Sequence, residues 1–402
     1  MKIKIEKGKA KGRITAPPSK SMAHRMLICA AMCDGVSTIR GISDCEDVFA
    51  TIDCLKALGI NIERSGNDVT VYGKDFSKLQ PTGTLECRES GSTLRFFIPI
   101  ALLSGKTVMF KGAESLMNRP LGVFENLCHE RAMTFLADGN TITVKGPLDG
   151  GDFSVVGNIS SQFISGLLFA LPNARNDSTI KIIPPIESRS YIDLTLEALH
   201  IFGIEAYWKD ERTLFIPGGQ RPEACEATVE GDYSGAAFID ALGCFGGEVE
   251  ICGLRDESTQ GDKVYKKYFE MLMSGVPSIH IGDCPDLGPI LFAVAAAKSG
   301  GIFDGTRRLT IKESDRASAM AEELQKFGVR VNVYDDTVVV YPESFHAPSE
   351  VLYGHNDHRI VMALATLLTL TGGEIDGVEA VSKSYPTFFE HLSLLGIKVT
   401  QI

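Results

Sequence analysis

Residues 39–73, IRGISDCEDVFATIDCLKALGINIERSGNDVTVYG, decide the fold, because their plan returns along the chain. They read strand, polar loop, amphipathic helix, Leu-Gly stop, strand, turn, strand. Residues 303–342, FDGTRRLTIKESDRASAMAEELQKFGVRVNVYDDTVVVYP, repeat that order with Phe-Gly at the stop. Residues 182–218, IIPPIESRSYIDLTLEALHIFGIEAYWKDERTLFIPG, do the same. Residues 375–402, IDGVEAVSKSYPTFFEHLSLLGIKVTQI, follow it until the chain ends, and weaker copies start near Phe110 and Ile251. Repetition at this spacing marks one supersecondary unit used many times.

Inside the unit, Val48, Ile52, Leu55 and Leu58 keep helical spacing, as do Met320, Leu324 and Phe327. Gly59, Gly203, Gly328 and Gly396 stand where a left-handed cap ends a helix. INIERSGNDVTVYG then reads as two short strands about a Gly-Asn turn. Between these surface helices lies a second class, apolar nearly all round: SKSMAHRMLICAAM, ESGSTLRFFIPIALL, SSQFISGLLFALP, GDYSGAAFIDALGCF, DCPDLGPILFAVAAA and NDHRIVMALATLLTL. A helix without a polar stripe is buried on every side. Three units around a shared core make a domain, so six make two similar α/β domains, divided near PEACEATVEGDYSG.

The first strand, KIKIEKG, precedes the first full unit, and the last unit stops at IKVTQI without its final strand. The N-terminal strand is therefore expected to complete the second domain. That gives domains of residues 14–227 and of residues 1–13 with 228–402. The chain would cross between them near Gly12–Ala16 and near Ala227–Gly231.

With 402 residues and a net charge of −11, the chain lacks any extended basic tract, which argues against nucleic acid as a partner. Its apolar runs are too short to cross a membrane. The start, MKIKIEKGKAKGRITAPPSK, has no apolar signal-peptide core. Ten scattered cysteines without a Cys-x-x-Cys pair read as reduced, buried side chains in a cytoplasmic protein. Cys29 and Cys33 lack the second ligand pair of a zinc site.

The N-termini of the buried helices are polar and built from small residues, so they offer free N–H groups and a dipole that favours anions. Cations gather there although a helix start disfavours them. Lys20, His24 and Arg25 crowd one start, while Arg95 and Arg359 are expected in the first turns of two others. Lys312 and Arg316 open a surface helix, Arg119 lies in MNRPLG, and Lys383 in SKSYP. Ser90, Gly91, Ser92, Ser160 and Ser161 let hydroxyl and backbone donors approach a phosphate. Two carboxylates interrupt the set. Asp286 reads as an N-cap or a proton carrier, and Glu313 as a salt-bridge partner or a proton carrier. Asp44, Glu46 and Asp47 read as first-turn acids of a surface helix. No spacing supports metal ligation by His24 or His358, and no GxGxxG or P-loop motif points to a nucleotide.

PPSKSMAHR, SGSTLR, LMNRPL, SSQF, ESRSYID, KESDR, NDHR and SKSYP occur in that order and nearly span the chain. Together they closely resemble the EPSP synthase (3-phosphoshikimate 1-carboxyvinyltransferase) family. The resemblance implies two inside-out, barrel-like α/β domains, each of three βαβαββ-type units with pseudo-three-fold symmetry. The active site would lie in the cleft between them. It implies transfer of the enolpyruvyl group of phosphoenolpyruvate to the 5-hydroxyl of shikimate 3-phosphate, with release of phosphate and without metal or organic cofactor.

Position by position, the resemblance assigns Ser21 and Arg25 to the shikimate carboxylate. It assigns Ser160, Ser161 and Ser188 to the shikimate phosphate, with Lys312 nearby. Arg316 and Arg359 would grip the phosphoenolpyruvate carboxylate, and Lys20, Gly91, Arg119, Gln162 and Lys383 its phosphate. Asp286 would bind the ring hydroxyls and take the nucleophile's proton. Glu313, with Lys20, would exchange the proton at the enol methylene carbon. Glyphosate would occupy the phosphoenolpyruvate subsite beside Gly91, and the protein would act as a monomer. Glu89, Phe96 and Arg308 depart from common family patterns and receive no role. The rival readings are a UDP-N-acetylglucosamine enolpyruvyl transferase, which usually bears a loop cysteine that LMNRPL lacks, and a non-catalytic anion-binding clamp.

Overall fold

The helix expected after Ile39 runs Glu46–Ala57 and is followed by the hairpin Asn61–Ser65 and Asp68–Gly73. Leu58 and Gly59 stop it, and Gly59 takes φ +88°, a value that a side chain would resist. Ser65 pairs with Asp68, so Gly66 and Asn67 form a two-residue turn, with Gly66 at φ +60°. A computed structural model describes residues 1–402 and divides them into two units, Lys20–Glu230 and Met1–Ser19 with Gly231–Ile402.

The Lys20–Glu230 unit holds three four-stranded sheets of one topology. In each, an edge strand runs parallel to its neighbour and a hairpin continues the sheet antiparallel. Leu85–Glu86 lies parallel to Thr107–Lys111, which pairs with Thr141–Lys145 and through it with Thr134–Asp138. Gly151–Val156, Ser178–Ile183, Thr213–Ile216 and Tyr207–Trp208 repeat the arrangement. The third sheet takes its parallel edge strand, Glu226–Thr228, from the end of the unit and lays it against Gly35–Arg40.

The other unit carries two such sheets and one reduced one. Lys2–Ile5 sits between Gly373–Asp376 and Val399–Gln401, antiparallel to both. Lys11–Thr15 runs parallel to Glu248–Cys252. After the helix Tyr265–Ser274 the chain enters Ser278–His280, the first strand of the next sheet, without forming a hairpin. This missing hairpin makes the copy near Ile251 hard to see in the sequence. The pairing of Lys11–Thr15, with Pro18 bridging Gly231, also moves the boundaries. The first crossing falls at Ser19–Lys20, later than the expected 13/14 and beyond the stretch 12–16, whereas the second, at Glu230–Gly231, lies inside the expected stretch 227–231, just after 227/228.

Helices fill the interior of each unit and sheets surround them. In one unit these helices are Lys20–Met32, Gly91–Leu103 and Ser161–Ala170; in the other, Tyr233–Cys244, Gly288–Ala297 and His358–Thr371. Leu27, Phe97, Leu168, Phe238, Leu291 and Leu364 are fully buried. Each such side chain stabilises its core by roughly 1.5–3 kcal/mol through burial. No helix is long and apolar enough to cross a membrane. The ten cysteines are free thiols, most of them buried.

Candidate active site

In the Lys20–Glu230 unit, functional side chains gather where the buried helices begin. Lys20 opens its helix, and its Nζ lies 2.8 Å from Asp47 Oδ2 on the neighbouring surface helix. Arg25 lies in the second turn, not the first as the sequence suggested, and is buried. Its Nε donates to Thr195 Oγ1 at 2.9 Å, Nη1 to the Ser21 carbonyl at 2.7 Å, and Nη2 to the Tyr191 carbonyl at 3.0 Å. The guanidinium stands over Phe96, 5.2 Å from the ring centroid, which gives this departure from the family pattern a contact. Burial pulls the Arg25 pKa down to about 10. The hydrogen bonds hold the fork in one orientation without neutralising it.

The second group forms around Gly91. Arg95, also in a second turn, donates from Nη1 to Gln162 Oε1 at 2.8 Å and lies over Phe163. Gln162 Nε2 donates to Ser92 Oγ at 3.0 Å. A methyl group on Gly91 would meet Arg119 Nη1 and Arg95 Nη1 at 3.1 Å each, and Gln162 Oε1 at 3.6 Å. The buried Nε and Nη2 of Arg119 have no protein acceptor. Ser160 and Ser90 cap their helices by accepting from Gln162 N and Thr93 N, respectively. Ser161 is buried, and so is Ser188, whose left-handed backbone (φ +56°) precedes the helix Arg189–Ile201. Donors that face no acceptor, hydroxyls and helix starts make this group suited to a phosphate.

In the other unit Lys312, Arg316 and Arg359 are met by carboxylates. Asp286 lies in the short turn Pro285–Leu287 ahead of its helix and does not cap it. Its Oδ1 is 2.8 Å from Arg316 Nη1 and 3.2 Å from Lys312 Nζ, and its Oδ2 is 2.8 Å from Arg359 Nη2. Arg316, 1% exposed, also meets Glu313 Oε2 at 2.6 Å and Asp357 Oδ2 at 2.8 Å. Arg359 donates to Ser234 Oγ at 2.7 Å. Lys383 Nζ donates to the Asn356 carbonyl and side-chain oxygen at 2.6 and 2.8 Å.

These contacts set the charges. Burial pushes the Asp286 carboxyl up, but Arg359, Lys312 and Arg316 overcome it and hold the pKa well below the ordinary carboxylate range. Burial pulls Lys312 down to about 8 against the attraction of Asp286. Burial would also lower Arg316, yet Asp357, Glu313 and Asp286 raise it. Asp286 is thus ionised near neutral pH.

Each residue given a site role from the sequence falls in one unit or the other. Lys20, Ser21, Arg25, Gly91, Arg119, Ser160, Ser161, Gln162 and Ser188 belong to one unit, and Asp286, Lys312, Glu313, Arg316, Arg359 and Lys383 to the other. Sequence reading missed the partners. Asp47 holds Lys20 and is more than a first-turn acid, whereas Asp44 and Glu46 pair with Arg64 and Arg88. Asp357 caps its helix by accepting from Arg359 N and grips Arg316 too; its place just before His358-Arg359 was the one available signal. Glu322, Glu323 and His355 could share a metal ion, but Glu323 already accepts from Lys326, His355 and Tyr353 N.

Residues 5–392 match the family described as EPSP synthase (3-phosphoshikimate 1-carboxyvinyltransferase). A Clostridium perfringens protein named 3-phosphoshikimate 1-carboxyvinyltransferase is 38% identical over 98% of each chain. The Clostridium acetobutylicum protein of that name is 40% identical over 98% of this chain and 97% of its own. Among solved structures, EPSP synthase from Acinetobacter baumannii superposes over the whole of both chains with a TM-score of 0.79 at 23% identity. The enolpyruvyl transferase NikO from Streptomyces tendae covers 99% of this chain and 98% of its own with a TM-score of 0.78 at 13% identity. These two structures speak for the fold.

Proposed function

The chain belongs to the EPSP synthase family, and from that membership we propose that it makes 5-enolpyruvylshikimate 3-phosphate from shikimate 3-phosphate and phosphoenolpyruvate. The observation that carries the chemistry is the cluster in which Asp286 and Glu313 both rest on Arg316. In this reading Ser21 and Arg25 take the shikimate carboxylate. Ser160, Ser161, Ser188 and Lys312 take its phosphate. Arg316 and Arg359 take the carboxylate of phosphoenolpyruvate, while Lys20, Gly91, Arg119, Gln162 and Lys383 surround its phosphate.

The geometry gives this reading a sequence of events. Asp286 is a poor base while three cations hold it. The phosphoenolpyruvate carboxylate competes for Arg316 and Arg359, which loosens their hold on Asp286 and raises its basicity. The 5-hydroxyl oxygen then attacks the substituted enol carbon as its proton passes to Asp286. Glu313, protonated, delivers a proton to the methylene carbon, forming a tetrahedral ketal phosphate. Return of a proton from the new methyl group to Glu313, and loss of phosphate, which leaves with the C–O electron pair and gains the proton released from Asp286, complete the transfer. Lys20, fixed by Asp47, faces the departing charge.

We place the enzyme in the cytoplasm as a monomer that glyphosate inhibits at the phosphoenolpyruvate subsite. Mixing the protein with both substrates and following phosphate release and product mass tests the reaction. Turnover with UDP-N-acetylglucosamine instead would favour the related transferase, and binding without turnover a clamp.

A further inference from the structure

We infer that a buried chain of side chains, His24–Thr51–Thr93–Ser90, sets the start of the helix Gly91–Leu103 for phosphate binding, with Thr51 and Thr93 as positioning residues. The inference rests on the reading of Gly91 as part of a phosphate subsite.

All four side chains are buried. His24 Nδ1 lies 2.7 Å from Thr51 Oγ1, which lies 2.8 Å from Thr93 Oγ1. Thr93 Oγ1 donates to Ser90 Oγ at 2.8 Å, and Thr93 N donates to the same oxygen at 3.2 Å. A hydroxyl has one proton to give. If Thr93 gives its proton to Ser90, then Thr51 gives its own to Thr93, and His24 must donate from Nδ1 to Thr51. The ring is then neutral with its lone pair on Nε2, the buried nitrogen that has no partner. Burial, with help from Lys20 and Arg25, lowers the His24 pKa well below the ordinary value and holds that neutral form.

The chain ties three helices together. Lys20–Met32 supplies the histidine, Glu46–Ala57 supplies Thr51, and Ser90 is the cap of the third. A serine cap ordinarily accepts one bond from its own helix. Here a second donor fixes its rotamer. Thr93 Oγ1 also lies 3.5 Å from the Asp47 carbonyl, in the residue whose side chain holds Lys20. One hydroxyl thus touches both the segment that places Lys20 and the cap that places Gly91. A methyl group on Gly91 would lie 3.1 Å from the Nη1 atoms of Arg119 and Arg95, so the cap sits close to the cations that would face a phosphate and its placement bears on them.

Thr51→Val and Thr93→Val keep the shape and break the chain, while Thr51→Ser keeps the hydroxyl. We expect both valine variants to weaken binding of inorganic phosphate in calorimetry about tenfold. The KM for phosphoenolpyruvate should rise by a similar factor, with kcat and the KM for shikimate 3-phosphate changing less, and Thr51→Ser should restore it. Phosphate binding equal to wild type in either folded valine variant overturns the inference, as does a wild type that binds no phosphate. Should one valine variant fail to fold, the other carries the test. A wild type that binds phosphate without turnover sinks the proposed reaction and leaves this comparison readable.

Discussion

The arginines of the two units solve the burial of charge in opposite ways. In the Lys20–Glu230 unit, Arg25 ends on a hydroxyl and two carbonyls, and two buried nitrogens of Arg119 meet no acceptor. In the other unit, Arg316 meets three carboxylates and Arg359 one. Neutral acceptors orient a cation and leave its field for a ligand, which suits static recognition of anions. Carboxylate partners neutralise the field until something displaces them, which suits proton exchange coupled to binding. One repeat architecture thus yields arginines with uncancelled charge in one unit and arginines bound to carboxylates in the other.

Changing the reacting side should have the largest effect. Glu313→Gln keeps an acceptor for Arg316 but cannot carry the proton. We expect kcat to fall by about 10²-fold or more, the usual scale for a lost acid–base group. Substrate affinity, measured by equilibrium binding, should stay within a few-fold. Turnover near wild type would leave Glu313 as a salt-bridge partner only.

On the recognition side, Arg25→Lys keeps the charge and loses the planar fork. Charge-assisted hydrogen bonds contribute about 1.5–3 kcal/mol each, so the KM for shikimate 3-phosphate should rise roughly 10- to 100-fold. The KM for phosphoenolpyruvate should move much less. An equal rise in both would mean that Arg25 only supports the fold.

Gly91→Ala sharpens the comparison at a smaller scale. Its methyl group falls 3.1 Å from two guanidinium tips, flexible ends that can give by a few tenths of an ångström. Steady-state inhibition should show the glyphosate constant rising more than the phosphoenolpyruvate KM, because glyphosate is the longer molecule. A ratio that stays constant or falls removes Gly91 from that subsite.

The contrast between the units also explains what the sequence could and could not disclose. The repeats were legible because apolar spacing and glycine stops are local, as at Val48, Ile52, Leu55 and Gly59. Cations near helix starts were legible for the same reason, although Arg25 and Arg95 sit a turn deeper than expected. Their partners were not legible. Thr195 is far from Arg25 in sequence, and Asp47 looks like any first-turn acid until Lys20 reaches it. The first domain boundary shifted because a parallel strand pairing, Lys11–Thr15 with Glu248–Cys252, joins segments with no local signature. That Asp286 does not cap its helix needed coordinates to see.

The smallest expected effect is the most diagnostic, because one titration weakens substrate binding while it strengthens the fold. Lys312 faces Asp286 and Glu313 as attractive charges and Arg308 and Arg316 as repulsive ones, and burial brings its pKa to about 8. The charged form binds anions, so the KM for shikimate 3-phosphate should rise as pH climbs through about 8. Stability should rise with pH as binding weakens. An unfolded lysine keeps its proton to about pH 10.4, so between about 8 and 10.4 the unfolded chain binds more protons than the folded one. Stability from this group therefore increases with pH across that window, and the penalty of holding a buried ammonium is greatest below 8. Lys312→Met removes both trends. The measurement is the wild-type minus variant difference in KM and in Tm from pH 7 to 10, which cancels every other titration the two proteins share. A KM difference and a Tm difference that both rise with pH are the outcome expected of a partly buried ammonium that binds shikimate 3-phosphate. A flat KM difference with a sloping Tm difference would show that Lys312 is buried as described but does not touch that substrate.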